Sequence, residues 1–111
     1  MIQYKVVITR SAKEDILERK RYILENFKYR QLAENFSEQI QMAVRALDTL
    51  PNGYASVRFT YKGYKIRCKP HQSCLIFYAV DEDMKVVTVL RVLQDRQDWE
   101  YILKHWLGAD E

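Results

Sequence analysis

Glycine and proline are scarce in this 111-residue sequence, with three and two residues. No Gly-rich loop of the kind that cradles a nucleotide phosphate is formed from them. Histidine and cysteine are equally sparse, two of each. His71, Cys68 and Cys74 offer too few ligands at their spacing for a metal centre, and no Ser-His-Asp set suggests nucleophilic catalysis. No apolar run approaches the roughly 18 residues that a membrane span needs. The opening Met-Ile-Gln-Tyr-Lys lacks the basic-then-apolar order of a secretion signal. These absences predict a cytoplasmic protein with no metal, cofactor or membrane partner. One further absence is local: no acidic residue stands between Tyr54 and Tyr78.

What is present argues for one folded domain over residues 1–111. Hydrophobic residues make up 48% and aromatics 13%, enough for a single core without staples. The net charge is only +3, so clustering matters more than the total. Arg58, Lys62, Lys65, Arg67 and Lys69 all fall in the acid-free stretch. Tyr64, Ile66 and Cys68 alternate there with Lys65, Arg67 and Lys69, the period of a strand with one buried and one wet face. Three cations in a row attract phosphate or acidic peptide, or serve as a solvated face.

Taken in order, Tyr4 to Thr9 is rich in β-branched residues and predicts a first strand. Ser11 and Glu14 fit a capping box that opens a helix. Its apolar stripe is Ala12, Ile16, Ile23 and Phe27, widened by Leu17 and Leu24, with Asp15, Glu18 and Glu25 on the solvated side. A second helix is expected from Gln31 to Leu50, with Leu32, Phe36, Ile40, Ala43, Leu47 and Leu50 on one face, ended by Pro51-Asn-Gly53. The two form an antiparallel hairpin. Val57 to Tyr61 is either a short strand or an irregular entry to a Lys62–Lys69 strand. Lys69 to Ser73 turns the chain, since Pro70 cannot donate to a ladder. If that turn centres on His71, Cys68 and Cys74 sit opposite each other, as small core residues. Strands follow at Cys74–Val80 and Lys85–Leu93. The Asp81–Met84 turn leaves open whether Val86, Thr88 and Leu90 or Val87, Val89 and Arg91 face the core. A short helix carrying Trp99, Ile102, Leu103 and Trp106 ends the chain, capped by Asp95 or Asp98. The fold class is α+β: a strand, a helical hairpin, a mostly antiparallel meander of three strands and a C-terminal helix.

Candidate functional groups are the cations and aromatics near the sheet. Arg58, Lys62, Lys65, Arg67, Lys69, Arg91 and Arg96, with Tyr61 and Tyr101, suit phosphate binding and base stacking. The same set suits metal-free RNA cleavage or an acidic protein partner. Leu75 and Phe77, inferred to share the cationic face, form an apolar strip of the kind that marks a protein interface. His71 and His105 read as surface residues.

The chain resembles the RelE/ParE superfamily of toxins from type II toxin–antitoxin modules. The opening Tyr4-Lys-Val-Val-Ile-Thr-Arg-Ser-Ala-Lys-Glu-Asp-Ile16 is similar to that family's strand-into-helix entry. Leu75-Ile-Phe-Tyr-Ala-Val80 and Val89-Leu-Arg-Val-Leu-Gln-Asp-Arg-Gln-Asp-Trp99 resemble the ParE-like form of its C-terminal meander. The resemblance implies a growth inhibitor neutralised by a cognate antitoxin in a hetero-oligomer. It further implies DNA gyrase as the target in the ParE-like branch, or the ribosome and messenger RNA in the RelE-like branch, whose members are endoribonucleases. A RelE-like catalytic set would map onto Lys65, Arg67, Arg96 and Tyr101, but Leu75 stands where that branch carries an arginine. This favours the ParE-like branch and a non-enzymatic inhibitor. The expected antitoxin contacts are Leu75, Phe77, Arg67 and Trp99.

Overall fold

A computed structural model describes residues 3–110. Strand β1 (Lys5–Ile8) leads into helix α1 (Arg10–Phe27), which turns back into α2 (Arg30–Arg45). Two short 3-10 turns, Ala46–Asp48 and Pro51–Gly53, link α2 to four strands: β2 (Ser56–Tyr61), β3 (Tyr64–His71), β4 (Cys74–Asp81) and β5 (Val86–Gln94). Helix α3 (Trp99–Asp110) follows. The strands form one sheet in the order β1-β5-β4-β3-β2. All neighbours are antiparallel except β1 with β5. The meander therefore has four strands, not three, and the segment before Lys62 is a strand.

Local chemistry accounts for the turns. Lys62 and Gly63 have φ of 50° and 87°, the two positive values that a tight hairpin needs, so Lys62 belongs to the turn and not to a strand. The β3–β4 turn is the pair Gln72–Ser73, with Gln72 at φ 54° and His71 opposite Cys74. The turn is thus shifted from the expected centre at His71, and Cys68 faces Phe77. Pro70 is tolerated inside β3 because β2 has ended there: the last bond toward that side is Cys68 N–H to the Ala55 carbonyl, 3.0 Å. An odd shift in pairing exchanges the faces. Cys68 and Cys74 therefore lie on opposite sides of the sheet, Cys74 against the helical hairpin and Cys68 against α3.

Both faces of the sheet are covered. Ile40, Val44 and Leu47 of the hairpin side meet Ile76, Tyr78, Val87 and Val89 on one face. On the other, Leu103 with Trp99, Ile102 and Trp106 meets Ile66, Phe77, Ala79 and Leu90. Burying each large aliphatic side chain contributes about 2 kcal/mol. A bulge lets β5 serve both layers. Phe77 pairs with Arg91 but Tyr78 pairs with Val89, leaving Leu90 as the extra residue. Val87 and Val89 face the hairpin, Leu90 faces α3, and Arg91 does not continue the Val87–Val89 row.

The helices depart from expectation at their ends. Thr9, not Ser11, caps α1 by accepting from Ala12 N–H at 3.2 Å. The Ser11 hydroxyl instead accepts from Trp106 Nε1, 3.0 Å away. Helix α2 stops at Arg45, and the left-handed residue is Leu50 (φ 52°), which is 80% exposed, not Gly53. Of the expected α1 stripe only Ala12 and Ile16 are buried, while Leu17, Leu24 and Phe27 are exposed.

The Pro51–Tyr54 loop is fastened from below. Tyr78 donates its hydroxyl to the Pro51 carbonyl, and burial pushes that phenol up to about 12. Glu82 accepts from Asn52, Tyr4 and Lys85, and these hydrogen bonds, that of Asn52 foremost, hold its carboxyl down at about 2. Its contribution is complete above the ordinary value of 4.5 and is lost as pH falls through about 2. Thermal melts of Glu82→Gln should be flatter with pH across that window than those of the native chain. Parallel melting curves for the two would contradict this role.

Candidate functional site

The acid-free stretch does bring cations to one strand, but most of them hold the fold. Arg67 pairs with Tyr78 across the ladder and so points to the hairpin face. There its guanidinium donates to the carbonyls of Tyr54 at 2.7 Å and Asn52 at 3.3 Å. Lys69, on the same side, donates to the Ala43 carbonyl at 2.8 Å, in the last turn of α2, where the helix dipole favours a cation. Partial burial lowers its pKa. Lys69 therefore ties α2 to the sheet, and Arg67 ties down the connection between α2 and β2.

Arg91 is more deeply committed. Its guanidinium grips Asp15 with two hydrogen bonds of 2.7 and 2.8 Å, and the same carboxylate accepts from Val92 N–H at 3.0 Å. The side chains are 16% and 10% exposed, and the Trp106 ring lies 5.8 Å from the guanidinium carbon. Arg91 is thus a buried structural cation rather than a phosphate ligand, and Asp15 does not belong to the solvated side of its helix. Its place three residues after Ala12, beside Ile16, was the available signal for this.

The remaining cations are scattered. Arg58 sits on β2 in an exposed pair with Glu100 at 3.2 Å and lies over the Phe59 ring. Lys62, in the β2–β3 turn, lies over the Tyr61 ring. Lys65 is exposed near the start of β3, and Arg96 is exposed in the turn after β5. Among the described residues neither side chain makes a hydrogen bond or ion pair. Tyr101 is 59% exposed on α3 and stacks on His105 with ring centres 3.9 Å apart.

The expected apolar strip is not open. Phe77 is fully buried and packs on Trp99 with ring centres 5.2 Å apart, and Leu75 is half-buried in the same cluster. Both lie on the α3 face, opposite the Lys65–Arg67–Lys69 face, because of the shifted β3–β4 turn. Leu75 and Phe77 therefore form the seat on which α3 rests through Trp99, and Arg67 is separated from them by the sheet.

The catalytic reading loses its geometry in the same way. Lys65 stands near the Lys62–Gly63 end of β3 and Arg67 at mid-strand opposite Tyr78, whereas Arg96 follows β5 at the opposite end, beside Ser73, whose carbonyl accepts from Asp95 N–H. Eight residues of strand span about 26 Å. Tyr101 stands on the helix that covers the far face. The thiols offer no alternative nucleophile, since burial pushes Cys68 up to about 11 and Cys74 in the same direction. Among the described residues no group of three His, Cys, Asp or Glu side chains is arranged to hold a metal.

This architecture is that of known toxin–antitoxin proteins. A solved chain from the chromosomal ParDE system of P. aeruginosa superposes with a TM-score of 0.68 at 17% identity, over 85% of this chain and 98% of that one. The RelBE2 toxin–antitoxin complex of Mycobacterium tuberculosis gives 0.59 at 18% identity, over 87% and 97%. The archaeal RelE-RelB complex of Pyrococcus horikoshii OT3 gives 0.55 at 15%, over 86% and 99%. At these identities the likeness shows the fold. Membership comes from sequence: residues 6–99 match the family described as ParE toxin of type II toxin-antitoxin system, parDE, and the chain belongs to that family. No curated protein sequence matches it significantly.

Asp15→Ala should cost about 3 kcal/mol in urea unfolding, because it strands a buried guanidinium. The pair Asp15→Leu/Arg91→Met should recover most of the loss. Equal loss in both variants would show that packing, not the unpaired charge, sets the cost.

Proposed function

We propose that this toxin arrests growth by binding DNA gyrase, and that it is not an endoribonuclease. The observation that carries the reading is the dispersal of Lys65, Arg67, Arg96 and Tyr101, the groups that the sequence offers for metal-free RNA cleavage. Such cleavage needs cations and a proton-transferring group aimed at one phosphate. Here Arg67 is tied to two loop carbonyls under the hairpin, Lys65 and Arg96 stand at opposite ends of the sheet, and Tyr101 rides on the α3 side. Inhibition by binding asks only for a preorganised surface. Membership in the ParE family supports gyrase as the enzyme bound.

The activity is held in check by a cognate antitoxin in a toxin–antitoxin hetero-oligomer in the cytoplasm. An acidic segment that folds on binding suits a chain of charge +3 and a partner that must later be removed. Of the sequence-derived phosphate ligands, Lys62, Lys65 and Arg96 remain available to a target, with Arg58 through exchange of its exposed ion pair.

Two assays on purified toxin test this. DNA supercoiling by gyrase should be inhibited in a dose-dependent way, and primer extension on messenger RNA in a translating extract should show no new ends. Codon-positioned cuts with unimpaired supercoiling would overturn the proposal in favour of ribosome-dependent cleavage.

A further inference from the structure

The half of α1 beyond Ile16 contains no buried residue. It carries the hairpin past the end of the sheet, and the turn is made by only two residues, Lys28 and Tyr29. Around it Leu24, Phe27, Tyr29 and Leu32 are 42%, 54%, 68% and 46% exposed. Helix α3 lies on the other face of the sheet and does not reach them. Four large apolar groups gathered in the open mark an interaction site.

The tip is stiff. Lys28 adopts the left-handed conformation and donates its N–H to the Leu24 carbonyl at 3.0 Å, while the Tyr29 carbonyl accepts from Leu32 and Ala33 at 3.1 and 3.4 Å. Lys20 and Glu34 link the two helices at 3.6 Å. A surface fixed in this way loses little entropy on binding. Phe27 and Leu32 also wall a cleft of about 360 Å³ that runs back to Gln72 and Ser73, with Asn35 and Gln39 in its lining.

The charge of the tip selects the partner. Arg21, Lys28 and Arg30 are exposed around it against Glu25, while Lys20 and Glu34 are paired with each other. An apolar centre within a basic rim fits an acidic protein surface with an apolar recess. The adjoining cleft, with amides suited to peptide groups, favours a protein over a lipid surface, which would meet a continuous convex ridge. We propose that the hairpin tip is the contact through which the toxin grips its target protein, with Phe27 and Tyr29 as the anchors. The inference rests on the reading of the chain as a target-binding inhibitor and names where the contact is made.

Phe27→Ser/Tyr29→Ser tests the anchors and Arg21→Glu/Arg30→Glu the rim. All four side chains are exposed, so melting temperatures should stay close to that of the native chain. The anchor variant should lose growth arrest on induction and need at least about ten-fold more protein to inhibit gyrase. The rim variant should weaken inhibition about ten-fold at low salt and show a flatter salt dependence. Growth arrest undiminished in both variants would overturn the inference. So would sedimentation of the native chain with phosphatidylglycerol vesicles that the anchor variant no longer binds, since the tip would then be a lipid contact. If the native chain arrests growth but leaves gyrase untouched, the gyrase reading falls, and the growth phenotype of the variants still decides the tip. A native chain that does neither removes the inference together with its premise.

Discussion

The carboxylate of Asp15 fastens the molecule at the point where its layers meet. Strand β1 pairs only with residues 86–89 of β5, which leaves the outer edge of β5 open from Leu90 onward. The start of α1 fills that edge. Thr9 donates its hydroxyl to the Leu90 carbonyl at 2.8 Å, and Asp15 takes the Val92 amide and the Arg91 guanidinium together. Arg91 lies against Trp106 of α3, whose indole donates to Ser11 of α1. One ion pair thus joins α1 of the hairpin layer, the sheet and the C-terminal helix. Because both charges are largely buried, its value lies less in net stability than in the cost of leaving either charge alone.

That anchorage decides where the hairpin points. With the first turns of α1 bound along the β5 edge, the rest of the helix continues past the Gln72–Ser73 end of the sheet, and its apolar stripe has nothing left to cover. The faces of the sheet are used up at the same time. Lys69 holds α2, Arg67 holds the connection after it, Phe77 and Leu75 seat α3, and Arg91 is enclosed. A chain built this way keeps few groups free for chemistry on its sheet, and Leu24, Phe27, Tyr29 and Leu32 stand exposed at the hairpin tip. Recognition by a rigid, basic-rimmed end follows from the same packing that disperses the candidate catalytic groups.

Much of the fold was legible because the signals were periodic. The two helices, the apolar Cys74–Val80 and Lys85–Leu93 runs and the amphipathic last helix all show in residue spacing, and the family resemblance adds their order. The site was less legible, for one physical reason above the rest. A turn centred on His71 and a turn at Gln72–Ser73 differ by an odd shift in pairing, and that shift moves Leu75 and Phe77 from the cationic face to the opposite one. Composition around Pro70 does not distinguish the two turns. The Leu90 bulge had the same effect on Arg91. The exposed end of α1 is not legible in the sequence, because a stripe of Ile23, Leu24 and Phe27 has the spacing of a core face whatever the length of the sheet beneath it.

Amide hydrogen exchange of the toxin, free and saturated with gyrase, tests the central claim most directly: that the sheet serves the fold and the hairpin end serves the target. The account predicts new protection concentrated in residues 22–33, with the amides of β3 and β4 exchanging as in the free chain. Protection spread over β3 and α3, with residues 22–33 unchanged, would contradict it.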